Sequence, residues 1–233
     1  MNPHRLTLYF AFLCLPFCSS NNYAQKQRPP AGGRTAVVVD ERLAAVRVTP
    51  ELTGKLVRRL GRGRLVAIRG TKTTRDGVVF YLVNVSSRTH GWIQREAVVS
   101  ATNRGDDDRL LVLLESSTEF DRIVRARLFL NQFLRSPRRP EVLLMLGDAA
   151  EQVSARLSRE AEKRADKDPK LEQAYFLNYS GLDRYNRQGV TFVFDPHERR
   201  LHYDGAAWRQ LIKRFPQTRQ AQEAQNRLSR RPG

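Results

Sequence analysis

Cysteine is nearly absent. Of 233 residues only Cys14 and Cys18 carry a thiol, and both sit inside an N-terminal apolar segment. A chain that has lost this segment has no disulfide, no thiolate nucleophile and no cysteine metal cage. Histidine is almost as scarce: beyond residue 24 only His90, His197 and His202 remain, few for a zinc centre that needs about three ligands and an open position. Long apolar runs are missing too. The longest, Leu6 to Cys18 (LTLYFAFLCLPFC), has 13 residues, short of the about 20 that span a bilayer core. Acidic residues lag behind basic ones, with 24 Asp+Glu against 41 Lys+Arg and a net charge of +17. Of the 41 cations, 34 are Arg and 7 are Lys. These shortages weaken most enzyme readings, whereas a hydrophobic content of 40% permits a packed core.

The apolar run follows a short basic start (Met1 to Arg5) and precedes polar Ser19–Asn22 and the small residue Ala24. That order of basic, apolar and small-residue regions is a secretory signal over residues 1–24, cleaved after Ser20 or Ala24. Bulky Phe17 argues against a lipidated Cys18. The chain is therefore expected to be exported, to a periplasmic or extracellular place, with no transmembrane segment once the signal is removed.

Residues 25–34 (QKQRPPAGGR) hold two prolines and two glycines and read as a linker. Over 35–100 short apolar runs alternate with turn residues. Ala36–Val39, Ala44–Val48, Leu65–Arg69, Val78–Val85 and Gly91–Gln94 read as strands, and five of them in this length suggest a small β-barrel. From Asp106 the period becomes helical. Ser116 with Glu119 and Thr118 with Asp121 offer capping pairs before Phe120, Ile123, Val124 and Leu128. Pro140 suits a first helical turn, followed by the apolar face Val142, Leu143, Leu146, Ala149, Ala150, Val153 and Leu157. The charged run Arg156–Lys167 reads as the solvated side of that helix. Asp168-Pro169 starts a further helix with Leu171, Ala174 and Tyr175. Asp204 caps another, carrying Trp208, Leu211, Ile212 and Phe215, and Thr218 opens the last, with Ala221, Ala224 and Leu228. Alternation over Val190–Tyr203 around Asp195-Pro196 is a hairpin signal. A faint repeat sets Phe133 on Phe215 and Glu141 on Glu223, as two helical hairpins of one design would.

The fold class expected is α+β: a small β-barrel over 35–100, then an α-helical domain over 106–233 with a β-hairpin near 190–203. Leu43 to Pro50, Leu56–Leu60, Gly63, Leu65–Ile68 and Gly91-Trp92-Ile93 resemble a bacterial SH3 (SH3b) domain, with Ala45 where that family often has Asn. Trp208 to Leu228, and more loosely Phe129 to Ala150, resemble tetratricopeptide-like repeats of envelope proteins. The resemblance implies an exported binding module, since SH3b domains often target cell-wall hydrolases, and implies no established activity of its own.

Catalytic motifs are poor. His197 and His202 are five residues apart, so on a helix they would sit about 140° apart, and Pro196 argues for a charged hairpin loop instead. Ser180 lacks the preceding glycine of a nucleophile elbow. No enzyme activity, cofactor or metal is therefore expected. Candidate ligand-binding residues are Tyr81 and Trp92, as aromatic rings at a barrel rim, and the basic cluster Arg58, Arg59, Arg62 and Arg64. Residues 34–100 hold 13 Lys/Arg against 5 Asp/Glu, a balance that favours anionic partners. The functional expectation is a non-catalytic envelope scaffold whose SH3b module binds a cell-wall component or peptide and whose helices bind a protein partner. An electrostatic binder of lipopolysaccharide, lipid headgroups or wall polymers is the alternative, and an unrecognised wall-modifying enzyme is the second. No specific nucleic-acid partner is expected.

Overall fold

The computed structural model describes residues 30–165 and 180–230. The expected signal (1–24) and the helix expected to begin at Asp168-Pro169, with Leu171, Ala174 and Tyr175, lie outside the described residues. The chain is α+β. A seven-stranded antiparallel sheet is built from β1 (Arg34–Val38), β2 (Ala45–Arg47), β3 (Leu56–Arg59), β4 (Leu65–Thr73), β5 (Val79–Asn84), β6 (His90–Gln94) and β7 (Val98–Val99). Six α-helices follow among the described residues: α1 (Asp106–Glu115), α2 (Glu119–Gln132), α3 (Arg139–Ala165), α4 (Asp183–Asn186), α5 (Ala206–Arg214) and α6 (Arg219–Ser229). A separate hairpin, β8 (Phe192–Asp195) and β9 (Arg200–Tyr203), stands between α4 and α5.

The five expected strands are all present, and β1 begins at Arg34, inside the expected linker. Two more were not foreseen. Strand β3 is too short and too charged to alternate, and β7 has only two residues; both exist through their partners β2 and β1. The strand order is β3-β2-β6-β5-β4-β1-β7, and its end strands do not pair with each other. The sheet is therefore open where a closed barrel was expected. It nevertheless curls. Val46 on β2, near one end of the order, and Val98 on β7, at the other, belong to one cluster with Ala36, Val38, Val66, Ile68, Tyr81, Val83 and Ile93.

Strand residues alternate between faces, so the neighbours of these core residues point outward. At the β4-β1-β7 end the outward residues Val37 and Val99 join the helical core, with Leu65 packed against it. That larger cluster contains Leu110 and Leu114 of α1, Ile123 and Phe129 of α2, and Val142, Leu143, Leu146 and Val153 of α3. Sheet and helices thus share one apolar cluster across their boundary. Asp106 pins the same boundary: its carboxylate is 1% exposed, accepts from the Ser100 amide (2.8 Å) and pairs with Arg109 (3.1 Å).

The apolar face expected on α3 is buried throughout, and burial extends to Ser158 and Ala161 inside the charged run. Ser158 ties the hairpin to α3 by accepting from the Leu201 amide at 2.8 Å. Leu201 and Tyr203 enter the helical core, so the hairpin packs on the helical layer. Burial pushes the Tyr203 hydroxyl up to about 12, and its oxygen accepts from the Ala207 amide at 2.7 Å. The residues aligned by the faint repeat share a helix ending: Phe133 and Phe215 each close their helix, with amides donating to Phe129 and Leu211, both at 2.9 Å.

Capping departs from expectation at one end and agrees at the other. Ser116 closes α1 and donates back to the Leu113 carbonyl, and the Thr118 side chain makes no cap bond to α2. Glu119 has φ 46°, which breaks the helical entry a capping box requires, and Asp121 turns away to Arg62. At α6, Thr218 Oγ1 accepts from the Ala221 amide at 3.2 Å. Thr218→Ala is expected to cost about 1 kcal/mol of stability, read as a lowered midpoint in urea melts with unchanged slope. Among the described residues no helix is long and apolar enough to cross a membrane.

Candidate functional site

The outward face that the helices cover at one end of the sheet lies open at the other. The strand registers place one residue of each strand in a transverse row there. Leu56 of β3 is opposite Arg47 of β2, Arg47 is opposite Trp92 of β6, Trp92 is opposite Leu82 of β5, and Leu82 is opposite Gly70 of β4. Directly opposed residues on one face are in side-chain reach, so Leu56, Trp92 and Leu82 form an apolar row interrupted by one arginine. Trp92, Leu82 and Arg47 are half-buried and Leu56 is 45% exposed. Arg47 donates to the Gly54 carbonyl at 2.7 Å, which holds its guanidinium in place. Gly91 makes the β2–β6 approach possible: a Cβ there would stand 2.6 Å from the Arg47 carbonyl oxygen.

Further exposed apolar residues lie around this row, namely Val48, Leu52 and Val57. Val57 is the unpaired residue of a register shift between β2 and β3, a bulge that turns the edge strand outward. At Leu52 a groove of about 680 Å³ opens between the loop Pro50–Thr53 and the β4–β5 turn Lys72–Asp76, with Phe80 as its floor. Phe80 shares the outward face of β5 with Leu82.

The residues anticipated as a site separate into three groups. Trp92 is half-buried on the open face. Tyr81 is 6% exposed inside the sheet's own core, its hydroxyl accepting from Asn103 Nδ2 at 3.4 Å. The basic cluster divides. Arg58 and Arg59 are exposed on the edge strand, without an ion pair among the described residues. Arg62 instead pairs with Asp121 of α2 at 2.8 Å, its side chain only 13% exposed, and holds that carboxyl below the usual carboxylate range. Arg64 donates to the Val85 carbonyl at 3.2 Å. Two of the four arginines thus have structural partners that no local pattern announces. Arg47, Leu56 and Leu82 were missed, although the period-two alternation of β5 and β6 places Leu82 and Trp92 on equivalent positions once the register is known.

The hairpin that carries His197 and His202 brings Asp195, Glu198 and His202 together, with potential ligand atoms within 4.8 Å of one another. Each already has a protein partner. Asp195 Oδ1 accepts from the His197 and Glu198 amides at 2.8 and 3.1 Å, and these bonds lower its pKa. Glu198 lies 3.0 Å from His202 Nε2. The group braces a tight turn, and Glu198 is exposed. No known protein family, curated protein or solved structure matches this chain.

Proposed function

We propose that the chain is a non-catalytic binding protein of the cell envelope, exported by its N-terminal segment. The open outer face of the sheet takes an extended peptide or a strand of wall polymer, and the helical layer supports that face and docks a protein partner. The observation that carries the reading is the half-exposed row Leu56–Arg47–Trp92–Leu82 beside the Phe80 groove. An aromatic ring with Leu82 on one side supplies contact area at low entropy cost. A pre-positioned guanidinium adds a planar donor for a carboxylate. The SH3b-like reading of 35–100 is part of the proposal, supported by the position of Gly91-Trp92-Ile93 on β6, an interior strand between β2 and β5. The tetratricopeptide-like reading rests on the matched endings at Phe133 and Phe215.

Tryptophan emission tests the sheet-face reading directly. Trp208 is 1% exposed, so an intensity change on adding muropeptide or an extended peptide reports on half-buried Trp92. Trp92→Ala is expected to weaken binding at least tenfold, as central aromatic anchors do, with unfolding midpoints shifted far less. Equal binding by wild type and variant would overturn the proposal, and so would fragments released from peptidoglycan by the purified chain.

A second reading, charge-driven attachment to anionic envelope surfaces, is favoured by the exposure of Arg58 and Arg59. The two readings separate on salt. Binding through the row persists at high ionic strength, whereas binding through exposed arginines falls steeply and is lost in the Arg58→Gln/Arg59→Gln double variant.

A further inference from the structure

A second cleft, of about 590 Å³, lies where the sheet meets the α1–α2 junction, away from the Trp92 row. Arg62, Ser117, Thr118, Phe120, Asp121 and Arg125 are among its lining residues. Most charges at its walls are matched. Arg42 pairs with Asp40 at 2.8 Å, Arg62 with Asp121 at 2.8 Å, and Arg156 with Glu119 at 2.9 Å. Arg184 rests over the Phe120 ring, 4.8 Å from its centroid.

Arg125 is the cation held least closely, sharing the Asp121 carboxylate with Arg62. It is 7% exposed. Its nearest carboxylate oxygen, Asp121 Oδ2, is 3.9 Å away and already accepts from Arg62 at 3.3 Å. Its Nη1 donates to the neutral Ser117 hydroxyl, while its Nε is buried with no acceptor, as is the Nε of Arg62. Burial, and then repulsion from Arg62, lower the affinity of Arg125 for its proton. A buried cation whose counter-ion is distant and shared is costly, and this guanidinium reaches from the middle of α2 back to Ser117, just before the helix begins. That helix has 14 residues, and the Thr118 side chain leaves its first amides uncapped. Its positive end therefore adds to the buried guanidinium of Arg125 and the half-buried one of Arg62 at the same cleft.

We propose that this cleft binds a phosphate group, whose oxygens accept from Arg125, Arg62 and the opening amides of α2. Asp121 occupies part of the same positive field and competes with the ligand. The site stands independently of the sheet-face reading, because none of the row residues lines it. Titration calorimetry of the full chain with inorganic phosphate, against chloride at matched ionic strength, is expected to show one saturable site. Arg125→Gln is expected to weaken it at least tenfold. Asp121→Asn, which keeps the side-chain shape and removes the competing charge, is expected to tighten it several-fold. Trp92→Ala should leave it unchanged.

Absence of saturable phosphate binding, or equal affinity in Arg125→Gln, overturns the proposal. If Arg125→Gln does not fold, Asp121→Asn decides alone, and an unchanged or weakened affinity in that variant overturns it. The phosphate has two possible sources, a free ion or a lipid headgroup. Pelleting with phosphatidic acid vesicles that inorganic phosphate competes away identifies the headgroup. Phosphate binding without pelleting identifies the free ion, and either result supports the site.

Discussion

Trp208→Ala is expected to lower the unfolding free energy by about 3–5 kcal/mol, the range for emptying a large aromatic site in a core. Trp208 is 1% exposed and meets the Tyr203 ring edge-on, with centroids 5.6 Å apart and planes at 74°. It also fills a notch in α3 that exists because residue 147 is glycine. A Cβ at Gly147 would stand 2.2 Å from Trp208 Nε1. One indole therefore joins α3, the hairpin and α5. Gly147→Ala probes the same contact from the other side and is expected to cost about 1–3 kcal/mol through overpacking. Chemical melts followed by far-ultraviolet circular dichroism measure both. A Trp208→Ala loss below about 1 kcal/mol would mean that α5 is not seated on α3 as described.

The second large effect is expected at Asp106. Its carboxylate accepts from the Ser100 amide, receives Asn103 Nδ2 at 3.1 Å, and pairs with Arg109. Asp106→Ala leaves the Ser100 amide without its acceptor and Arg109 without its counter-charge. Breaking a buried pair from one side costs about 3–5 kcal/mol. The low end applies here because Arg109 keeps a side-chain exposure of 24% and is partly rehydrated. Asp106→Asn retains an oxygen acceptor toward Ser100 and is expected to cost clearly less. Because Asp106 joins β7 to α1, loss of the pair is also expected to separate the unfolding of sheet and helices. In that case near-ultraviolet and far-ultraviolet transitions no longer coincide. Coincident transitions with a loss under about 1 kcal/mol would contradict this role.

Much of the secondary structure was legible locally. Alternation around Asp195-Pro196 marked the hairpin, the apolar face from Val142 to Leu157 marked α3, and Thr218 opens α6 as its side chain suggests. These signals depend on residues within one or two turns of each other. The failures share the opposite property. The short strands β3 and β7 exist only because β2 and β1 present backbone donors and acceptors to them. The Ser116 and Thr118 pairs satisfy a capping pattern, yet the Asp121 carboxylate is drawn to Arg62, 59 positions away.

Candidate-site residues follow the same division. Trp92 was recognisable as an aromatic beside a glycine on a strand, whereas its row-mates Arg47 and Leu56 come from other strands and are assembled only by pairing register. Composition announced an excess of arginine without distinguishing exposed Arg58 and Arg59 from Arg62 and Arg64, which are held by Asp121 and the Val85 carbonyl. Arg125 carries no local signal that sets it apart from the other arginines, yet it is 7% exposed. Helix and strand periods, the apolar faces and the sign of the net charge are properties of neighbouring residues, so the sequence by itself determined them. Which face of the sheet stays open, and which cation must share its counter-ion, was decided by the tertiary structure, because both depend on groups brought together from distant parts of the chain.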